Sequence, residues 1–187
     1  MIIDGKIITP TKTYIFEEKG NHTVYYKFSK MNQFDTSANK DFFYYNTNKN
    51  SDHLISVTFS DFDEYIPDLS FEKMFYNRKE LISVDFSKIS LFLNIDLSQI
   101  FYGCENLVYV NFDMKKSYFI VTELKSMFYD CKSLTTINLS KLNVTSVKSF
   151  RSMFNGCTSL KSININTFKL NSATSIRCMF CNCNSNI

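Results

Sequence analysis

MFYDCKSLTTINLS, residues 127–140, is the stretch on which the fold reading turns. It recurs as MFNGCTSLKSININ from Met153, IFYGCENLVYVNFD from Ile100 and MFYNRKELISVDFS from Met74. A shorter copy, MFCNCNSNI, starts at Met179. The starting positions are separated by 26, 27, 26 and 26 residues. A fixed period of this length is the mark of stacked repeats, each unable to bury its apolar face alone.

The second half of each copy reads as a strand. LISVTFS (residues 54–60) matches LISVDFS (81–87) at all but one position, and the series continues at 107–113, 134–140 and 160–166. One apolar column holds Val57, Val84, Val110, Ile137 and Ile163; another holds Phe59, Phe86, Phe112, Leu139 and Ile165. Between them stand Thr58, Asp85, Asn111, Asn138 and Asn164, always polar. Alternation at period two sends the apolar pair inward and the polar residue outward. The single-residue variation in period falls in loops, because a slip within a strand would turn its side chains over.

The Met-Phe pair lies on the return arm. Ser70, Thr122, Ser149 and Ser175 precede it by four or five residues. Such residues cap helices by accepting orphan N–H groups, so the reading expects a short helical turn with Met and Phe dipping into the core. Upstream, Ile2-Ile3 and Ile7-Ile8 flank Asp4-Gly5, a tight-turn dipeptide. Residues 13–17 and 23–29 alternate as a hairpin expected to cover the first rung. Residues 31–50 are polar around Phe42-Phe43-Tyr44-Tyr45, an aromatic quartet that can stand for a degenerate Met-Phe, and residues 46–52 read as a loop. The expected division is residues 1–50 as a β cap with an irregular loop and residues 51–187 as the repeat array.

At this point the motif M-F-x-x-C-x-x-L-x-x-I-x-L-S, repeated every 26 residues or so, resembles the BspA-like leucine-rich repeats, the surface-protein 26-residue repeat family. The resemblance covers residues 54–187. Leu142-Asn143-Val144-Thr145-Ser146-Val147 matches the segment that follows the motif in that family, whereas residues 88–96 and 114–121 depart from it; Arg78 replaces the first Cys and Ile100 one Met. The resemblance implies an α/β repeat solenoid: a leucine-rich-repeat-like right-handed coil of short parallel strands and short helical turns with an N-terminal β-hairpin cap, used for adhesion or protein binding and often surface-exposed.

Composition sets the remaining bounds. The 187 residues fit one domain or one array with a small extra module, and only 4 Gly and 2 Pro argue against a flexible linker. A net charge of +3, from 21 basic and 18 acidic residues, is too mild to call for nucleic acid. No apolar run approaches the roughly 20 residues of a membrane span, and the first residues lack a signal-peptide pattern. Membrane insertion is therefore not expected, and a cytoplasmic location is the default.

Candidate chemistry is sparse. Cys104, Cys131, Cys157 and Cys183 share one repeat position, where a small, weakly polar, buried residue suits a tight turn. Cys178, Cys181 and Cys183 could supply thiolates to zinc, but Cys183 already belongs to the repeat and no second pair exists. His22 and His53 are the only histidines, and no nucleophile elbow or phosphate loop is present, so no enzyme activity, cofactor or metal is expected. N-x-S/T sequons at Asn21, Asn138 and Asn143 matter only in an exported protein.

The outward strand face is the candidate site. Its columns are Ser56, Ser83, Tyr109, Thr136 and Ser162 beside Thr58, Asp85, Asn111, Asn138 and Asn164. The residues singled out for contact with an unknown protein ligand are Tyr109, Asn111, Thr136, Asn138, Ser162, Asn164 and Asp85, with Tyr109 the aromatic anchor. The reading is a non-enzymatic protein-interaction module. The alternatives are a cell-surface adhesin, a thiol or zinc site near the C-terminus, and a piece of a longer repeat protein. An uncapped last rung would leave a surface for self-association.

Overall fold

The computed structural model describes residues 2–3, 6–7, 24–25, 56–58, 71–88, 94–114 and 120–184. All regular structure among them is β. Near the N-terminus, β1 (Ile2–Ile3) pairs antiparallel with β2 (Lys6–Ile7) and with β3 (Val24–Tyr25). Ile3 stands opposite Lys6, the register expected around Asp4-Gly5, and β1 is the central strand. Of the predicted 13–17 and 23–29 hairpin, only β3 is described, and it pairs with β1. The aromatic quartet Phe42-Phe43-Tyr44-Tyr45 and the 46–52 loop lie outside the described residues.

The predicted repeat strands form with the predicted register. β4 (Ser56–Thr58), β5 (Ser83–Asp85), β7 (Tyr109–Asn111), β9 (Thr136–Asn138) and β10 (Ser162–Asn164) are each three residues long. They are parallel: Val57 pairs with Val84, Val84 with Val110, and Ile137 with Ile163. The hydrogen-bonded ladder is interrupted once, between β7 and β9, leaving sheets β4-β5-β7 and β9-β10. β7 and β9 still lie side by side, and a backbone bond from Ser133 N–H to Glu105 O (3.0 Å) ties their rungs. Val57, Val84, Val110 and Ile137 are buried in one core cluster, and Ile163 packs against it half-buried. Leu81, Leu107, Leu134 and Leu160, one per copy, are fully buried beside them.

A second parallel ladder runs through segments that fit the repeat motif poorly. β6 (Asn94–Asp96) pairs with β8 (Ile120–Glu123), with an irregularity between Ile95 and Asp96, and Ser149 forms a parallel bridge with Ser175. Thr122 and Ser149, expected as helix caps, sit in this ladder instead; Thr122 Oγ1 donates to Ile95 O at 3.1 Å.

The return arm corrects the sequence reading most. Among the described residues there is no helix. Each Met-Phe segment is a run of tight turns with backbone bonds at i→i−3, such as Met74 N–H to Phe71 O, Tyr76 N–H to Lys73 O and Arg78 N–H to Phe75 O. The cause is a pair of left-handed residues four apart in every copy: Lys73 and Asn77, Gln99 and Gly103, Ser126 and Asp130, Ser152 and Gly156, Cys178 and Asn182. An α-helix needs φ near −63°, so each positive φ ends it. The alternate N–H groups are freed to reach the next copy. Lys73, Phe75 and Asn77 donate to Ser98, Ile100 and Tyr102; Phe101 donates to Met127, Phe128 to Met153, and Phe154 to Met179, at 2.6–3.1 Å.

This stacking builds an aromatic column. Phe75, Phe101, Phe128, Phe154 and Phe180 lie ring over ring, with successive centroids at 5.6, 5.4, 5.5 and 5.5 Å and planes within 13° of parallel. The first four rings are fully buried. Burying each is worth about 1.5–3 kcal/mol, and each stacked pair adds about 0.5–1.5 kcal/mol. A second column, Tyr76, Tyr102 and Tyr129, stacks at 4.8 and 4.6 Å on the half-buried edge of the same turns. Burial and the neighbouring Tyr76 and Tyr129 hydroxyls push the Tyr102 phenol above its ordinary value.

Candidate functional site

The strand face divides by chemistry. In the polar column, the side chains of Asp85, Asn111, Asn138 and Asn164 turn back on their own backbone. Asp85 Oδ1 accepts from Ser87 N–H at 2.8 Å, Asn111 Oδ1 from Asp113 N–H at 2.9 Å, Asn138 Oδ1 from Ser140 N–H at 3.1 Å and Asn164 Oδ1 from Asn166 N–H at 3.4 Å. These are Asx-type turns that end each strand. Asp96 does the same for Ser98 N–H in the second ladder, at 2.7 Å. Four of the singled-out residues, Asp85, Asn111, Asn138 and Asn164, therefore have one oxygen committed to the fold.

The neighbouring column faces water. Tyr109 is 53% exposed, and Thr136 and Ser162 are exposed beside one another on β9 and β10. Tyr109 stands in register with Ser83, and Asn111 with Asp85. The structure thus gathers Asp85, Tyr109 and Asn111 on one sheet and Thr136, Asn138, Ser162 and Asn164 on the other.

Two residues that the sequence reading did not single out complete this face. Val108 is 47% exposed and Ile82 is 43% exposed, and the N–H groups of Val108 and Tyr109 both donate to Ile82 O, at 2.9 and 3.2 Å. Ile82, Val108 and Tyr109 therefore form a joined apolar patch over two rungs. The equivalent position in the next two copies holds Thr135 and Lys161. The signal was a repeat column that is apolar at one end of the array and polar at the other, outside the alternation that buries its neighbours.

The flank of the patch is charged. Glu105 sits between Lys132 (2.7 Å) and Lys79 (2.9 Å), and hydrogen bonds from Lys132 and then Lys79 hold its carboxyl below the usual range. All three side chains are substantially solvated, so screening leaves each pair a small contribution to stability.

The cysteine column is structural. Cys104, Cys131, Cys157 and Cys183 donate their Sγ–H to Phe75, Phe101, Phe128 and Phe154 carbonyls in the preceding copy, at 3.0, 3.2, 3.0 and 2.9 Å. Burial pushes the Cys131 and Cys157 thiols well up. All the cysteines are free thiols, and among the described residues no three His, Cys, Asp or Glu side chains are grouped to hold a metal ion. His22, His53 and Asn21 lie outside the described residues. Among the described residues no helix is long and apolar enough to cross a membrane.

What the geometry defines is a stack of short parallel strands and tight turns with an exposed strand face. Residues 95–186, just under half of the chain, match a family model described as Mycoplasma protein of unknown function, DUF285. That match replaces the resemblance to BspA-like leucine-rich repeats, which the comparison does not return. The motif's period and its Phe and Leu columns are present. The helical arm that the resemblance implied is absent among the described residues, where turns with left-handed residues take its place. No curated protein and no solved structure matches the chain.

Proposed function

We propose that the chain is a repeat solenoid that acts, without catalysis, as a protein-interaction module, its contact surface the strand face centred on Tyr109. The observation that carries this reading is the joined exposed patch of Ile82, Val108 and Tyr109 on strands whose other side is fully buried. A parallel ladder fixes the backbone beneath these side chains and so lowers the ordering cost of binding, and a tyrosine flanked by aliphatics suits the centre of an interface. The Asn and Asp turns around the patch fix its rim.

The test compares the intact protein with Tyr109→Ala, Ile82→Ser and Val108→Ser variants in affinity capture from its own cells, followed by measured binding to the captured partner. An anchor residue of this kind contributes about 2 kcal/mol or more, so Tyr109→Ala should weaken binding roughly thirtyfold. Because these side chains are exposed, each variant should melt within about 0.5 kcal/mol of the parent. Unchanged capture by all three variants would overturn the assignment of this face.

A further inference from the structure

The turn that opens each Met-Phe segment's second half repeats along the chain. Its corner positions, three apart, hold Lys73 and Tyr76, Gln99 and Tyr102, Ser126 and Tyr129, Ser152 and Asn155, and Cys178 and Cys181. Each turn is closed by the same backbone bond, at 3.0, 3.1, 3.3, 3.2 and 3.3 Å in that order. Cysteine occupies both corners in the last copy alone. The repeat explains Cys183, whose Sγ–H is held on Phe154 O, but it does not explain Cys178 or Cys181.

The geometry places these two thiols together. The ends of a hydrogen-bonded four-residue turn lie within about 7 Å, which overlaps the Cα separation of about 4.4–6.8 Å that a disulfide spans. The neighbouring Cys178 thiol, followed by burial, pushes the Cys181 thiol above its ordinary value. Cys178 is exposed and Cys181 half-buried, so an approaching reagent meets Cys178 first. Of the other thiols of the stack, Cys104, Cys131 and Cys157 are buried under their neighbours, and the half-buried Cys183 is held on Phe154 O.

We propose that Cys178 and Cys181 are a reversible dithiol site that closes to an intrachain disulfide when a small-molecule disulfide oxidant is present. The Cys178 thiolate attacks one sulfur of the oxidant, forming a mixed disulfide and releasing one small thiolate. The Cys181 thiolate then attacks the Cys178 sulfur and expels the second. The oxidant's S–S bond breaks and the protein's forms. The two protons lost by the cysteines end on the two small thiols, so two protein thiols are oxidised as one disulfide is reduced. Closure encloses Met179 and Phe180, and Phe180 caps the aromatic column on Phe154.

The full chain, reduced and then incubated with oxidised glutathione at mildly alkaline pH, is followed by intact mass and by mapping of the tryptic peptide that begins at Cys178. The expected product is lighter than the reduced chain by the mass of two hydrogen atoms, with the link between Cys178 and Cys181. Cys183→Ser should close equally well, whereas Cys181→Ser should stop at a stable glutathione adduct on Cys178. Alkylation before denaturation should leave Cys104, Cys131 and Cys157 unmodified, which verifies that each variant is folded. A persistent adduct on the parent protein, a link to Cys183, or a disulfide between two chains would each overturn the proposal.

Discussion

Phe128 shows what a single residue contributes. Its ring is fully buried and stacked on Phe101 on one side and Phe154 on the other, so its removal leaves a void that two rigid rings cannot close. Phe128→Ala should cost about 3–5 kcal/mol, read as a lower midpoint in a urea melt. Gly103 and Gly156 act by having no side chain. Both have positive φ, 71° and 80°, and a Cβ on them would collide with Asn77 Oδ1 and Asp130 Oδ1 of the preceding copy. Gly156→Ala should therefore destabilise by about 1–3 kcal/mol, and the loss should shrink when Asp130→Gly removes the obstructing carboxylate. The left-handed column that contains them, Asn77, Gly103, Asp130, Gly156 and Asn182, was legible: these residue types tolerate positive φ better than others. The sequence reading took Ser and Thr as helix caps and gave no weight to that column, and the expected helical turn came from that choice.

At the scale of one element, the turn arm joins copies through backbone bonds and cysteine thiols together. Cys131 and Cys157 stay protonated in the folded chain because burial disfavours the thiolate. In the unfolded chain they ionise near the ordinary value of 9.0. The unfolded state then binds fewer protons than the folded one, so stability falls as pH rises above that value, by up to about 1.4 kcal/mol per pH unit for each such thiol. Denaturant midpoints from pH 8 to pH 11 should show this decline, and a Cys131→Ala variant should show a shallower one, on top of a fixed loss of about 1 kcal/mol for its bond to the Phe101 carbonyl. The place of each strand was legible because alternation at period two has one solution when one face is buried, although only three residues of each seven-residue stretch pair as strand. The second ladder was not. β6 and β8 fall where the motif is weakest, and their pairing depends on partners 26 or so residues away that strands of three and four residues do not announce.

For the molecule as a whole, period and columns were readable because identical spacing must place like residues over like. The division of the strand ladder between β7 and β9 was not readable, since Tyr109 to Asn111 and Thr136 to Asn138 look equally competent to pair. Along the turn arm the backbone bonds from each Met-Phe segment to the next copy run one way, N–H of the earlier copy to C=O of the later, while the cysteine thiols donate back to the copy before. Peptide dipoles so aligned add, as they do along a helix axis. The arm is therefore electrically directional. The Cys178, Phe180 and Asn182 amides find no carbonyl among the described residues, so the late end is its positive pole.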